Sequence, residues 1–213
     1  RDITIIKNIK IIEKLAQQPK VVAVGEIGLD CNVYKNSKYG IQDIDKELQK
    51  ELLAVQLEIA GESNKPVIIH SREAEEEVLN IVKSEKLKAK NLHGVFHCFD
   101  GSKKYLKKIL EAGFYVSFTG QITYVPDRAK VAKEVPLERL LVETDCPYMP
   151  PFAANFAKAT LARKATGGKP PLRSEPKDVI IIGQFHAQER GLKLGEVAQN
   201  TSKNAESLFG LKE

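Results

Sequence analysis

Residues 21–30 read VVAVGEIGLD, an apolar run followed by a glycine and a carboxylate, which is the pattern of a buried strand with a polar residue near its end. Apolar runs without polar alternation are typical of strands that are buried on both faces, as in a parallel sheet. Four more runs rich in Val, Ile or Phe follow along the chain. The five predicted strands are VVAVG at 21–25, PVIIH at 66–70, GVFHC at 94–98, FYVSF at 114–118 and LLVET at 140–144.

Helical patterns lie between these strands, and an amphipathic helix is predicted at the start of the chain. The other predicted helices cover 43–63, 72–85, 102–112, 127–134, 176–190 and 194–208. Repeated strand–helix alternation predicts βαβ units with right-handed crossovers, and hence adjacent parallel strands in chain order. The 213 residues are treated as one α/β domain. The alternation alone leaves an open sheet and a closed barrel as alternatives.

Four polar residues lie at the carboxyl ends of the predicted strands. Glu26, His70, His97 and Asp145 each occur at such an end or within two residues of it. Active sites of α/β barrels gather at this end, which favours a TIM-type (β/α) barrel over an open sheet. One long irregular segment, residues 146–175, follows the last of these strands, and loops of this length are more often functional than idle.

Taken singly, each of these residues also has a structural interpretation. Glu26 fits a strand-end salt bridge, Asp145 fits a turn cap, and His70 and His97 fit hydrogen-bonded core histidines. Four strands that bring two carboxylates and two imidazoles to one end favour a shared site instead. That donor set suits Zn²⁺, Mn²⁺, Fe or Co better than Ca²⁺.

Two arginines add positive charge near the same end. Arg72 follows His70 by two residues, and Arg173 closes the long loop. An arginine fork suits bidentate contact with phosphate. The alternative for Arg72 is a salt bridge to a glutamate at the start of its own helix, and the alternative for Arg173 is Glu175.

The remaining candidates are assigned to structure or to the surface. His93 lies in a loop, and His186 lies inside a predicted helix near the end of the chain. Lys103 and Lys104 begin a helix and are interpreted as solvated, with phosphate contact as the alternative.

Composition limits the classes of partner and compartment. The net charge of +5 is compatible with a polyanionic partner but does not require one. Three cysteines without a C-x-x-C pair predict a reducing, cytoplasmic environment, with the nucleus as an alternative compartment. No stretch has the ~20 apolar residues of a membrane span, and a monomer is expected.

Several blocks of the sequence resemble successive signatures of the TatD-type metal-dependent DNases. They are VVAVGEIGLD, KPVIIHSRE, GVFHCFDGS, LLVETDCPYMPP and RSEP, in the family's order and over nearly the whole chain. The resemblance implies a TIM-like barrel of the metal-dependent hydrolase superfamily, a centre of two divalent metals (Mg, Mn or Zn), and hydrolysis of DNA phosphodiester bonds, as an exonuclease.

The resemblance also implies roles for the candidate residues. Glu26 bridges the two metals, and His70 and His97 complete the ligands of one of them. Asp145 binds the other metal and takes a proton from the attacking water, so that Glu26 and Asp145 carry the catalysis. Both arginines fall where the family contacts substrate phosphate.

The sequence departs from the family pattern at its beginning. The family starts with a strand that carries an H-x-H pair, and no H-x-H occurs in this chain, which also lacks an initiator Met. We therefore expect the first strands of the barrel to be missing here and at most one metal to bind well, through Glu26, His70 and His97. The alternatives are a hydrolase of the same superfamily that acts on a small amide or ester, and a catalytically impaired remnant that acts as a binding protein.

Overall fold

Helices and parallel strands alternate in the computed structural model, which describes residues 3–32, 45–89, 91–152 and 173–211. The described strands are β1 (Val24–Asp30), β2 (Val67–Arg72), β3 (Gly94–Phe96), β4 (Tyr115–Phe118) and β5 (Leu140–Val142). The described α-helices are α1 (Ile3–Ala16), α2 (Lys46–Glu62), α3 (Glu75–Lys88), α4 (Lys103–Glu111), α5 (Pro126–Glu134), α6 (Val179–Arg190) and α7 (Leu194–Phe209). Short 3-10 helices cover Gly120–Thr123, Leu137–Arg139 and Pro176–Asp178.

All five predicted strands are present, with one correction that matters for the site. β1 starts three residues later than predicted and continues to Asp30, so Glu26 lies inside the strand and not after it. α3 begins at Glu75 because residues 70–72 still belong to β2. The predicted helix at 176–190 begins with a 3-10 turn. Of the long loop at 146–175, residues 153–172 lie outside the described part of the chain.

Contacts divide the chain into two compact units, the first made of Arg1–His97, Glu111–Phe114 and Leu208–Glu213. In this unit β2 pairs in parallel with both β1 and β3, as the sequence predicts. α2 begins at Asp45, whose side chain accepts hydrogen bonds from the backbone N–H groups of Glu47 and Leu48, an N-cap that satisfies two otherwise orphaned donors. The largest fully buried side chains of the unit are Phe96, Phe114, Leu29, Leu53, Leu57, Ile69, Leu79 and Leu92.

The second unit comprises Cys98–Leu110 and Tyr115–Ser207. β4 and β5 pair in parallel, with Val116 opposite Leu140. Asn204 of α7 donates from Nδ2 to the backbone carbonyls of Leu137 and Leu140, each at 2.8 Å, and so fixes α7 to the start of β5. The largest fully buried side chains of this unit are Phe118, Leu106, Ile109 and Ile122. No helix in the described ranges is long and apolar enough to cross a membrane.

Candidate active site

A β-bulge in β1 presents the carboxylate of Glu26. Gly25 pairs with Ile68 and Ile27 pairs with Ile69, so Glu26 is an extra residue without a partner in the strand register. Bulges redirect side chains and are common beside active sites. The side chain of Glu26 is 54% exposed, whereas Ile27 is buried and holds the strand in place. The bulge therefore turns Glu26 out of the sheet while its neighbour stays in the core.

Two histidines from neighbouring strands converge on this carboxylate. His70 lies on β2, and His97 directly follows β3, where its backbone N–H donates to the Ile69 carbonyl at 3.0 Å. Nε2 of His97 is 3.3 Å from Glu26 Oε2 and 3.3 Å from Nδ1 of His70. One ligand atom from each of Glu26, His70 and His97 lies within 4.8 Å of the others. The structure brings these three residues together, and their role as metal ligands stays a prediction.

The spacing of these atoms fits a divalent metal. Ligand atoms ~2.0–2.2 Å from a tetrahedral ion lie roughly 3.3–3.6 Å from one another. The two 3.3 Å separations around His97 Nε2 match that spacing before any ion is considered. One carboxylate and two imidazoles are ligands that Zn²⁺ and similar borderline ions accept, and three protein ligands leave a coordination position for substrate or solvent.

A glycine permits the close approach of β1 to β2 beside His70. A Cβ on Gly28 would lie 1.8 Å from the carbonyl oxygen of His70, far inside any real contact. Gly28 also has a φ of 157°, which residues with a side chain rarely adopt. Gly28 of the GEIGLD block is therefore required for steric reasons, because a side chain there would displace the backbone of His70, a candidate metal ligand.

Asp30 is a site residue that the sequence analysis did not single out. Its Oδ2 lies 3.2 Å from Nε2 of His70 and 3.9 Å from Nη1 of Arg72. Arg72 thus has a carboxylate neighbour on β1, a residue that the sequence analysis did not offer as its partner. The signal available in the sequence was a carboxylate at the end of a strand, in GEIGLD, directly ahead of a long polar segment.

Asp145 and Arg173 belong to the second unit, and the described metal-ligand cluster contains neither. Asp145 lies three residues beyond β5 with a positive φ of 50°, and its carbonyl accepts a hydrogen bond from the Tyr148 N–H at 2.9 Å. Aspartate adopts this left-handed conformation more readily than most residues, and the hydrogen bond places Asp145 at the start of a turn. Arg173 is exposed. Glu175, which the sequence offered as a partner for Arg173, forms an ion pair with Lys177. The metal role of Asp145 and the phosphate role of Arg173 stay predictions.

Glu143 is a second residue that the sequence analysis missed. Its Oε1 accepts a hydrogen bond from the Cys98 N–H at 2.7 Å and another from the Ser117 hydroxyl. Cys98 directly follows His97 and has a positive φ of 43°, so Glu143 satisfies a backbone donor at a strained residue. Burial raises the pKa of the Cys98 thiol to about 12. That thiol is therefore protonated at neutral pH.

The other histidines lie outside the cluster, as predicted. His186 is 1% exposed, and its ring packs near Phe118 and Phe185 with centroids 5.9 Å and 6.1 Å away. Burial lowers the pKa of His186 to about 3, so the ring is neutral in the folded protein. His93 lies in the turn before β3, with Nδ1 2.6 Å from the Asn91 carbonyl oxygen.

Comparison with known proteins identifies the family. The TatD related DNase family matches residues 5–210. The chain is 36% identical over 200 residues to a Bacillus subtilis protein named uncharacterized metal-dependent hydrolase YabD, a match that covers 93% of this chain and 69% of that protein. It is 35% identical over 206 residues to the 3'-5' ssDNA/RNA exonuclease TatD of Erwinia tasmaniensis, covering 94% and 70% respectively.

A solved structure agrees with these matches. YjjV, a TatD homologue from Escherichia coli, superposes with a TM-score of 0.77 at 26% identity, over 96% of this chain and 70% of that one. The predicted fold class, an α/β fold of the TIM-barrel metal-dependent hydrolase type, is thereby confirmed. The matches cover 50% to 70% of the length of these and other curated relatives.

Proposed function

This chain belongs to the TatD-related DNase family, and we propose that it is a divalent-metal-dependent deoxyribonuclease that hydrolyses phosphodiester bonds as an exonuclease. The observation that carries the proposal is the cluster of Glu26, His70 and His97, whose ligand atoms lie within 4.8 Å of one another. A relative at 35% identity is named a 3'-5' ssDNA/RNA exonuclease, which supports a polynucleotide substrate attacked from its 3′ end.

The three clustered residues would hold the metal. When bound, a divalent ion of the Zn, Mn or Mg class activates water near neutral pH and polarises a phosphoryl oxygen. Glu26 is half-exposed, so its second oxygen is open to a further ligand, as a bridging carboxylate requires. The backbone N–H of His97 donates to the Ile69 carbonyl, which fixes the main chain from which the ring projects.

Proton transfer and phosphate binding are assigned on the family resemblance. Asp145 accepts the proton of the attacking water, a role for which a carboxylate within one hydrogen bond of that water is required. Arg72 and Arg173 contact substrate phosphates and neutralise developing charge. With a net charge of +5, the chain would gain most of its affinity for single-stranded DNA from counterion release. The logarithm of the binding constant would then fall linearly with the logarithm of the salt concentration, with a slope of about −0.7 for each neutralised phosphate.

The test is a nuclease assay on single-stranded oligonucleotides labelled at the 5′ or the 3′ end. We expect early release of the 3′-terminal nucleotide in the presence of Mg²⁺ or Mn²⁺, and loss of cleavage with a chelator. His97→Ala should abolish the activity, whereas the matched variant His93→Ala should cleave at the wild-type rate.

Four outcomes would contradict the proposal. Equal cleavage by His97→Ala would exclude the cluster as the site, and activity that survives chelation would exclude the metal. Turnover of amide or lactone substrates with no nucleotide release would assign the chain to a different branch of the hydrolase superfamily. Cleavage of RNA but not DNA would retain the phosphodiesterase chemistry and overturn the deoxyribonuclease assignment.

A further inference from the structure

Asp30 lies at the end of β1, beside His70 on the neighbouring strand. Its Oδ2 is 3.2 Å from Nε2 of His70, while Nδ1 of the same ring faces His97 Nε2 at 3.3 Å. One ring nitrogen of His70 therefore faces the metal-ligand cluster and the other faces a carboxylate. An imidazole binds a metal through its unprotonated nitrogen, and the hydrogen bond of the other nitrogen determines which one that is.

We propose that Asp30 is a positioning residue: its carboxylate accepts the Nε2–H of His70 and so directs the Nδ1 lone pair at the metal. This inference rests on the proposed metal-dependent function. Asp30 acts through His70 and not on the metal, because the described ligand cluster consists of Glu26, His70 and His97.

The surroundings of Asp30 hold its carboxylate in place. Its backbone N–H donates to Gln49 Oε1 at 2.8 Å, and its carbonyl accepts from Gln49 Nε2 at 3.2 Å. Its other carboxylate oxygen, Oδ1, accepts from the Asn32 N–H at 3.0 Å. With the main chain fixed by α2 and Oδ1 engaged, Oδ2 is left directed at the His70 ring.

An ion pair with Arg72 explains the position of the Asp30 carboxylate less well than a hydrogen bond to His70 does. Arg72 Nη1 is 3.9 Å from Oδ2, beyond hydrogen-bond distance, whereas His70 Nε2 is at 3.2 Å. The side chain of Asp30 is 21% exposed, so its bond to His70 is partly shielded from water.

The substitution Asp30→Asn tests the hydrogen bond with almost no change in shape. Its amide oxygen can still accept from the Asn32 N–H, but its NH₂ group then faces Nε2 of His70. A donor at that position favours the ring form that carries its proton on Nδ1, which blocks the ligand nitrogen. Flipping the amide instead places two donors together at Asn32. The matched control is Asp127→Asn, the same charge change at an exposed residue of α5.

The first measurement is Co²⁺ binding to the metal-free full chain, followed by its visible absorption spectrum. We expect Asp30→Asn to weaken binding about 10- to 100-fold, the usual effect of losing such a partner, while Asp127→Asn binds as wild type. Equal affinity of wild type and Asp30→Asn would overturn the positioning role and leave the metal site standing. A wild-type chain that binds no Co²⁺ would overturn both this inference and the proposed function.

The second measurement reads the ring directly, and its result on the wild-type chain tests the inference even if the variant does not fold. Nitrogen-15 NMR of the metal-free wild-type chain at alkaline pH should show His70 protonated on Nε2, and Asp30→Asn should shift the proton toward Nδ1. A wild-type ring that carries its proton on Nδ1 would overturn the inference, whatever the Co²⁺ result.

Discussion

Gly28→Ala is the substitution whose effect the structure defines most sharply. The added Cβ would lie 1.8 Å from the His70 carbonyl oxygen, 2.7 Å from its carbon and 3.0 Å from its nitrogen. All three atoms are backbone, so no side chain can move aside to relieve the contact. β1 must therefore separate from β2 at the register pair Gly28 and His70.

The expected loss of stability follows from two terms. Overpacking costs about 1–3 kcal/mol, and forcing a side chain into the φ of 157° adds about 1–3 kcal/mol. We expect the free energy of unfolding to fall by about 3 kcal/mol, which lowers the melting temperature by roughly 6–12 °C for a chain of this size. Metal affinity should fall as well, because the displaced backbone carries His70.

Urea denaturation followed by circular dichroism measures this change, with Gly195→Ala as the matched control. A Cβ on Gly195 meets nothing within 4 Å, and alanine is the better residue in helix α7. The control should be unchanged or stabilised by up to ~1 kcal/mol. If Gly28→Ala has the same urea midpoint of unfolding as wild type, β1 does not approach β2 at His70 as closely as the structure shows.

Three further substitutions test other parts of the account. His186→Leu should reduce acid sensitivity: because the pKa of His186 falls from 6.5 to about 3 on folding, wild type loses about 1.4 kcal/mol of stability per pH unit as pH drops from 6.5 toward 3. Urea titrations at several pH values in which the two proteins lose stability in parallel would contradict this. Asn204→Ala should cost about 2 kcal/mol through its two lost hydrogen bonds, with Co²⁺ affinity unchanged; a wild-type melting temperature would refute it. Phe96→Ala should lower the free energy of unfolding, measured by urea denaturation, by about 3–5 kcal/mol because the side chain is 2% exposed. A decrease of less than 1 kcal/mol would show that Phe96 is not packed in the core.

The sequence predicted the strands and helices well because their apolar periodicity is strong. It misplaced the beginning of β1 because the bulge at Glu26 breaks the expected register, and a bulge leaves no clear periodic signal. Val21 to Ala23 are apolar without belonging to β1, whereas Ile27 and Leu29 supply its buried face.

The candidate site was predicted in part. Glu26, His70 and His97 could be chosen because a polar residue in an apolar strand needs an explanation, and three such residues from neighbouring strands meet at one place. Asp30 and Glu143 were missed because their contacts, to His70 and to the Cys98 backbone respectively, join residues far apart in the sequence. Contacts of that kind depend on side-chain direction and strand register, which composition and spacing do not encode.

Elemental analysis of the purified chain measures whether Glu26, His70 and His97 hold a metal ion. The account predicts about one divalent ion per chain of wild type and of His93→Ala after dialysis, and almost none in His97→Ala, because two remaining ligands hold an ion poorly. Two ions per wild-type chain would contradict the expectation that only the cluster of Glu26, His70 and His97 binds well. Undiminished metal in His97→Ala would contradict the ligand assignment itself.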